Sequence, residues 1–126
     1  MTEIKICGLS TPETVDAAVD AGATHIGLVH FEPSPRHVSL ETAAKLRARV
    51  PTGRKVALLS VNMQPHDLEQ AYRTVRPDIL QFHGSETLEW MAMVRKLLGT
   101  ETWRAIGLRE RATLDDARQY VGKIDR

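Results

Sequence analysis

Residues 55–82, KVALLSVNMQPHDLEQAYRTVRPDILQF, contain the pattern that decides the fold. The apolar runs at 56–61 and 79–82 have the length and composition of buried strands. Between them, Leu68, Ala71, Tyr72 and Val75 recur at the spacing of an amphipathic helix. A strand, a helix and a second strand in this order predict a βαβ unit with parallel strands.

The same order extends in both directions along the chain. Apolar runs at 4–7, 25–29 and 103–106 add three predicted strands. Apolar residues at helical spacing lie between and after the strands: Val15, Ala18 and Val19; Ala43, Leu46 and Val50; Leu88, Met91, Val94 and Leu98; Leu114, Ala117 and Val121. We therefore predict five βα units followed by a sixth strand that begins at Ile124.

Individual residues also mark the predicted helix boundaries. The predicted amino-terminal caps are Thr11, Ser39 and Ser85, and the predicted helix ends are Ala21-Gly22 and Leu98-Gly99. Asp115 and Asp116 are predicted in the first turn of the last helix, where the helix dipole accounts for both carboxylates.

Two α/β architectures fit this order of elements. One is an open, doubly wound parallel sheet of five strands. The other is a (β/α)8 or TIM barrel, which usually needs about 200 to 250 residues and of which this chain would supply the first five βα units and the start of strand six. The incomplete sixth strand favours the barrel. We therefore predict a single, incomplete barrel domain over residues 1–126.

Composition narrows the class of partner and the compartment. Seventeen Lys and Arg residues against sixteen Asp and Glu give a net charge of +1, without the charge blocks that bind nucleic acid or membrane surfaces. Cys7 is the only cysteine, which suits a reducing compartment, and the sequence shows neither a signal peptide nor a membrane span. We expect a cytoplasmic protein whose partner is a small molecule.

Parallel α/β folds gather their binding groups at the carboxyl ends of the strands. At the first such end, alternation places Lys5 and Cys7 on one side of the sheet, and Gly8 allows a tight turn. A thiol acts as a base or nucleophile when a neighbouring cation favours its thiolate form, and Lys5 is a candidate. The alternatives are that Cys7 is a small buried hydrophobe and that Lys5 is a packed, salt-bridged lysine.

Two other strand ends carry candidate binding groups. Arg36 lies in a loop stiffened by two prolines and can present its guanidinium to a carboxylate or phosphate, or it can be a solvated surface arginine. Gln81 and His83 fall on one side of the fourth strand's end, where His83 can bind a ligand or be satisfied by backbone. His30 and His37 have no metal-ligand spacing with a Cys or an acid, so we interpret them at most as residues near the substrate.

Three segments resemble the phosphoribosylanthranilate isomerase family. They are Lys5-Ile6-Cys7-Gly8-Leu9-Ser10, Ser34-Pro35-Arg36-His37-Val38-Ser39 and Gln81-Phe82-His83-Gly84-Ser85-Glu86. The segments occur in the family's order and spacing, and the similarity covers the whole chain. His30, where an aromatic residue is usual, and Glu32, where proline is usual, depart from the pattern.

The resemblance implies an isomerase of tryptophan biosynthesis that works on N-(5-phosphoribosyl)anthranilate by an Amadori rearrangement, without cofactor or metal. It implies that Cys7 is the general base and that Arg36, Gln81 and His83 bind the substrate. It also implies a general acid on an aspartate beyond Arg126, distinct from Asp125, and phosphate-binding loops after strands seven and eight. On this basis we expect a truncated chain, inactive alone, whose open strand edges and uncovered inner side chains favour self-association.

A competing hypothesis is a non-catalytic, flavodoxin-like module that binds a partner through an exposed strand edge. Such modules often carry an acidic pocket at the end of the first strand, where this chain has Cys7-Gly8. Replacement of Cys7 distinguishes the hypotheses, because only the isomerase would lose activity. Another small-metabolite barrel with a cysteine base is a third option, which the three segments together disfavour.

Overall fold

Strands and helices alternate along the whole chain in the computed structural model, which describes residues 1–126 apart from the side chain of Ala112. The strands are β1 (Lys5–Cys7), β2 (His25–Val29), β3 (Lys55–Ser60), β4 (Ile79–Phe82) and β5 (Glu101–Arg104). The helices are α1 (Pro12–Asp20), α2 (Leu40–Arg49), α3 (Pro65–Val75), α4 (Leu88–Leu98) and α5 (Arg111–Arg118). The five predicted βα units are confirmed.

The strands form one parallel sheet in the order β1-β2-β3-β4-β5. A doubly wound sheet reverses its strand order at a switch point, whereas a barrel adds each strand beside the one before it. The sequential order therefore has the topology of a (β/α)8 barrel. The open-sheet architecture and its flavodoxin-like variant do not describe this chain.

The hydrophobic core lies between the outer face of the sheet and the helices. Each of the first four helices contributes a buried side chain to it, namely Val15, Leu46, Leu68 and Met91. The strands contribute Ile26, Leu28, Val56, Leu58, Leu80 and Phe82. Burial of one such side chain stabilises the fold by about 1.5 to 3 kcal/mol, so this layer holds the strands, and hence the strand ends, in place.

The inner face of the sheet is better covered than expected. Val29, Ala57, Leu59 and Ile79 lie on this face and are all buried, so the expectation that the inner side chains would be uncovered is wrong for them. On the same face, Nζ of Lys5 reaches Gln81 and lies near the Trp103 ring. The expectation of open strand edges concerns β1, which lies at one edge of the sheet. Ile6 in this strand and Ile4 just before it are 40% and 47% exposed.

Two predicted helix starts are confirmed and one is wrong. Thr11 accepts a hydrogen bond from the N–H of Thr14, and Ser39 accepts one from Thr42, as caps do. Helix α4, however, begins at Leu88 and its cap is Thr87. Ser85 binds Asn62 instead.

The chain from residue 101 onward differs most from the prediction. Strand β5 is Glu101–Arg104 rather than 103–106, because pairing with β4 starts at Glu101 and the chain leaves the sheet after residue 104. Helix α5 has no acidic residue in its first turn, so the dipole explanation for Asp115 and Asp116 is wrong. Asp115 instead forms an exposed ion pair with Arg118.

The predicted sixth strand is present only as a first backbone pairing. No strand is assigned after α5 in the described part of the chain. The N–H of Arg126 nevertheless donates to the carbonyl of Thr102 (3.2 Å), and the N–H of Arg104 donates to the carbonyl of Arg126 (2.7 Å). This is a parallel hydrogen-bonding pattern, so the chain returns beside β5 as a sixth barrel strand would.

No helix among the described residues combines the length and the hydropathy needed to cross a membrane.

His25 makes the stability of this fold depend on pH. It is 3% exposed, its Nδ1 lies 2.8 Å from the Thr24 hydroxyl, and its Nε2 is buried with no hydrogen-bond partner among the described residues. Burial lowers the pKa of His25 below its usual value of 6.5. The unfolded chain therefore takes up this proton first, and stability falls as the pH drops below about 6.5.

We expect the free energy of unfolding, from urea titration, to be lower at pH 5.5 than at pH 7.5. The variant His25→Leu should lose most of this dependence, whereas His66→Gln, at an exposed position on α3, should keep it. Equal pH dependence in His25→Leu and the unsubstituted chain would refute this role of His25.

Candidate functional site

Cys7 and Arg36 come together at the carboxyl ends of β1 and β2. Cys7 is half-buried at the end of β1, and Gly8 turns the chain with a positive φ of 81°. The Arg36 side chain lies against Gly8, since a Cβ at Gly8 would be 2.5 Å from both Cδ and Nη1 of Arg36. The absence of a side chain at Gly8 thus lets an exposed guanidinium lie beside the residue that carries the thiol.

Cys7 and Lys5 share the inner side of the sheet, as predicted. A Cβ at Gly27 would lie 2.7 Å from the Cys7 sulfur and 3.0 Å from Cε of Lys5. Gly27 is the partner of Cys7 in the β1–β2 pairing. Both side chains therefore occupy the space that a larger residue at position 27 would fill, and the thiol points into the barrel interior.

Lys5 extends across the inner face from the first strand to the fourth and fifth. Its Nζ donates a hydrogen bond to Oε1 of Gln81 and lies 5.6 Å from the centre of the Trp103 ring. No carboxylate of the described residues lies within ion-pair distance of Lys5, so the salt-bridged alternative is wrong. The Lys5 side chain thus has uncharged partners and lies on the same inner face as the Cys7 thiol.

His83 lies on the same rim, at the end of β4, with its side chain exposed. Its backbone N–H donates to the carbonyl of Ser60 (3.1 Å), but its imidazole forms no hydrogen bond with the described residues, which is unlike a histidine satisfied by backbone. No direct contact among these residues joins His83 to Cys7 or Arg36. The structure therefore places Arg36 over Gly8, next to Cys7, and joins Lys5 to Gln81. The His83 imidazole is free to meet a ligand.

The other candidates have structural partners. The rings of His30 and His37 are 5.0 Å apart, and Nδ1 of His30 lies 2.8 Å from the carbonyl of Val38. No cluster of three metal-ligating side chains occurs among the described residues. Partial burial opposes ionisation of Asp125, but the N–H of Thr102 and the guanidinium of Arg95 lower its pKa overall, which does not suit a proton donor.

Sequence reasoning missed two charged residues at this rim. The predicted cap at Ser85 would put Glu86 in the first turn of a helix as an exposed acid, yet Glu86 is 8% exposed and binds backbone N–H groups and Arg104. Arg104 is the last residue of β5, and its guanidinium donates a hydrogen bond to the carbonyl of Gly84, which follows the end of β4. No signal in the sequence marked Arg104, because the predicted strand 103–106 placed it inside the strand rather than at the carboxyl end, where chemistry gathers in such folds.

The space above Gly8 gives a direct test of the contact between Gly8 and Arg36. The variant Gly8→Ala adds left-handed strain of about 1 to 2 kcal/mol and also pushes Arg36 aside. Gly22→Ala is the matched control, because Gly22 has a φ of 92° but nothing within 4 Å of its added Cβ. In urea unfolding, the two variants should lose similar stability, because the exposed end of the Arg36 side chain can move away at low cost. A much larger loss in Gly8→Ala would mean that Arg36 is fixed over Gly8.

Comparison with known proteins shows that this chain is similar to one family of enzymes. Residues 4–122 match the family described as N-(5'-phosphoribosyl)anthranilate (PRA) isomerase. The chain is 61% identical over 126 residues to N-(5'-phosphoribosyl)anthranilate isomerase of Erythrobacter litoralis, and the match covers all of this chain and 60% of that relative. The chain therefore spans less than two thirds of the length of that relative.

Two solved structures show the same fold. A phosphoribosylanthranilate isomerase in complex with reduced 1-(o-carboxyphenylamino)-1-deoxyribulose 5-phosphate matches with a TM-score of 0.90 and 25% identity, over 95% of this chain and 61% of that one. The Thermotoga maritima enzyme of the same name matches with a TM-score of 0.87 and 26% identity, over 95% and 58% of the two chains. The predicted (β/α)8-barrel fold class is confirmed.

Proposed function

This chain belongs to the phosphoribosylanthranilate isomerase family, and from that premise we propose that its rim is the base-bearing part of an isomerase site. The substrate would be N-(5-phosphoribosyl)anthranilate and the product 1-(2-carboxyphenylamino)-1-deoxyribulose 5-phosphate. The observation that carries the proposal is that the Cys7 thiol lies on the inner side of β1 while the Arg36 side chain lies over Gly8, the next residue.

The reaction needs an acid and a base at different atoms of the sugar. Protonation of the furanose ring oxygen breaks its bond to the first carbon and leaves a protonated Schiff base. Removal of the proton from the second carbon then gives an enamine-enol, which becomes the ketose when the first carbon gains a proton and the enol loses one. We assign removal of the proton from the second carbon to Cys7, acting as a thiolate.

Arg36 would hold the anthranilate carboxylate. A guanidinium matches a planar carboxylate through two parallel hydrogen bonds, and Arg36 has no carboxylate partner among the described residues. Gln81 and His83 would line the site from the end of β4, and Lys5 would place a positive charge near the thiolate. Cys7 would thus abstract the proton from a substrate whose aromatic end is fixed.

The proton donor for the ring oxygen is not assigned within residues 1–126. Asp125 is held ionised by Thr102 and Arg95, as described above. We propose that the acid and the phosphate-binding groups belong to the part of the barrel that this chain does not cover, and that the chain alone is inactive. The proposal also includes a cytoplasmic location and a reaction without cofactor or metal.

An assay of phosphoribosylanthranilate consumption, followed by fluorescence, tests this function. The chain is measured alone and after fusion to the part of the Erythrobacter litoralis relative that it does not cover, a fusion here called the completed protein. The uncovered part of the relative alone is the control. Turnover only in the completed protein is the expected result. Lack of turnover in a folded completed protein would refute the function, and turnover by the chain alone would refute the assignment of the acid to the uncovered part.

A further inference from the structure

A buried ion pair holds both backbone polar groups of Gly84, the residue after His83. The carboxylate of Glu86 accepts hydrogen bonds from the Gly84 N–H (2.9 Å) and from Nη1 of Arg104 (2.8 Å). Nη2 of Arg104 donates to the Gly84 carbonyl (2.5 Å). We call Glu86 and Arg104 the Gly84 clamp.

Asn62, from the loop after β3, forms hydrogen bonds with Glu86 of the clamp and with Ser85. Its N–H donates to Oε1 of Glu86 (2.6 Å), and its side-chain oxygen accepts from the N–H of Ser85 (2.8 Å). Asn62 adopts a left-handed conformation with a φ of 49°, and a Cβ at Gly84 would collide with its side chain. The ends of β3, β4 and β5 are therefore joined at a single glycine.

The burial of these charges is difficult to explain by stability alone. The side chains of Glu86 and Arg104 are 3% and 13% exposed. Removal of two charges from water is costly, and a buried ion pair often stabilises a fold no better than apolar residues of the same size. Its hydrogen bonds do, however, fix a single backbone conformation, and here that conformation belongs to the segment beside His83.

We propose that Glu86 and Arg104 are positioning residues that hold His83 in its orientation toward the substrate. The inference rests on the proposed function, in which His83 lines the site. The N–H of His83 is held by Ser60, and both polar groups of the next residue are held by the clamp, so the His83 backbone, and with it the direction of its Cα–Cβ bond, is fixed from both sides. The clamp itself need not touch the substrate.

Arg104→Met in the completed protein tests the clamp, because it removes both donors of Arg104 and leaves Glu86 bound to backbone. A misplacement of about 1 Å can reduce the rate about 100-fold, and for this partial loosening we expect kcat/KM to fall about tenfold, mainly through KM. Arg118→Met is the matched control, since Arg118 forms an exposed ion pair on α5 and should leave kcat/KM unchanged.

A double-mutant cycle with His83→Ala separates positioning from a general structural role. If the clamp acts through His83, Arg104→Met should cost little further activity once His83 is alanine. The same loss in both backgrounds, or no loss in a folded Arg104→Met protein, would overturn the proposal.

Amide hydrogen exchange in the 126-residue chain gives a readout that does not depend on activity. Glu86→Leu removes the acceptor of the Gly84 N–H and should speed exchange at Gly84, while the amides of α2 keep their protection. If the unsubstituted completed protein has no isomerase activity, the proposed function fails, and this exchange alone decides whether the clamp exists. Unchanged exchange at Gly84 would refute it.

Discussion

Replacement of Cys7 by alanine is expected to abolish turnover by the completed protein. General base catalysis contributes about 100-fold to 10,000-fold to a reaction rate, and Lys5, the other inner side chain of β1, has its Nζ bound to Gln81. The loss should appear in kcat, measured under saturating substrate, because the thiol acts in the transition state and contributes little to substrate binding.

Ile6→Ala is the matched control for Cys7→Ala. Ile6 is adjacent in the same strand, points to the opposite face and is 40% exposed. Its substitution should leave kcat within about twofold, as is usual at surface positions. A Cys7→Ala protein that keeps most of its turnover would show that another group removes the proton.

Replacement of Arg36 by methionine should raise KM by about 100-fold, because a hydrogen bond to a charged group contributes about 1.5 to 3 kcal/mol. The guanidinium is exposed beside Gly8 and would be paired with the substrate carboxylate in the bound state. A substrate analogue without that carboxylate should bind the unsubstituted and Arg36→Met proteins equally. Steady-state kinetics with both compounds measure this difference.

Arg73→Met controls for the loss of a positive charge in general. Arg73 is exposed on α3 and pairs with Glu69 on the same helix, away from the rim. Its substitution should leave KM unchanged for both compounds. If Arg36→Met weakened binding of the two compounds equally, Arg36 would not be the carboxylate partner.

The spacing of apolar residues predicted most strands and helices, because it shows which side of each element faces the core. Apolar runs located β2 and β4 at the observed residues, and helical spacing located the core-facing side chains of the first four helices. Strand β5 was misplaced because it starts at the charged Glu101, whereas Ala105 and Ile106 extend the apolar run beyond the part that pairs with β4. The contacts that specify such a strand are distant in sequence.

The sequence predicted the strand end at which each candidate residue lies, but not the contacts between residues of different strands. Alternation along β1 placed Lys5 and Cys7 on one side, and the structure confirms this through Gly27. The hydrogen bond from Lys5 to Gln81 crosses from the first strand to the fourth, so it depends on the curvature of the sheet. Glu86 was misinterpreted because its partners, Asn62 and Arg104, come from two other loops and strands.

Self-association through the strand edges stays a prediction. Ile4 and Ile6 beside the open edge of β1 are the exposed apolar side chains that would favour it.

A crystal structure of the completed protein with reduced 1-(o-carboxyphenylamino)-1-deoxyribulose 5-phosphate would test most directly whether this rim is the substrate site. We expect the Cys7 sulfur in van der Waals contact with the second sugar carbon, the Arg36 guanidinium on the carboxylate and the His83 imidazole against the ligand. A ligand bound elsewhere, or bound with Cys7 out of contact with that carbon, would contradict the assignment of Cys7 as the base.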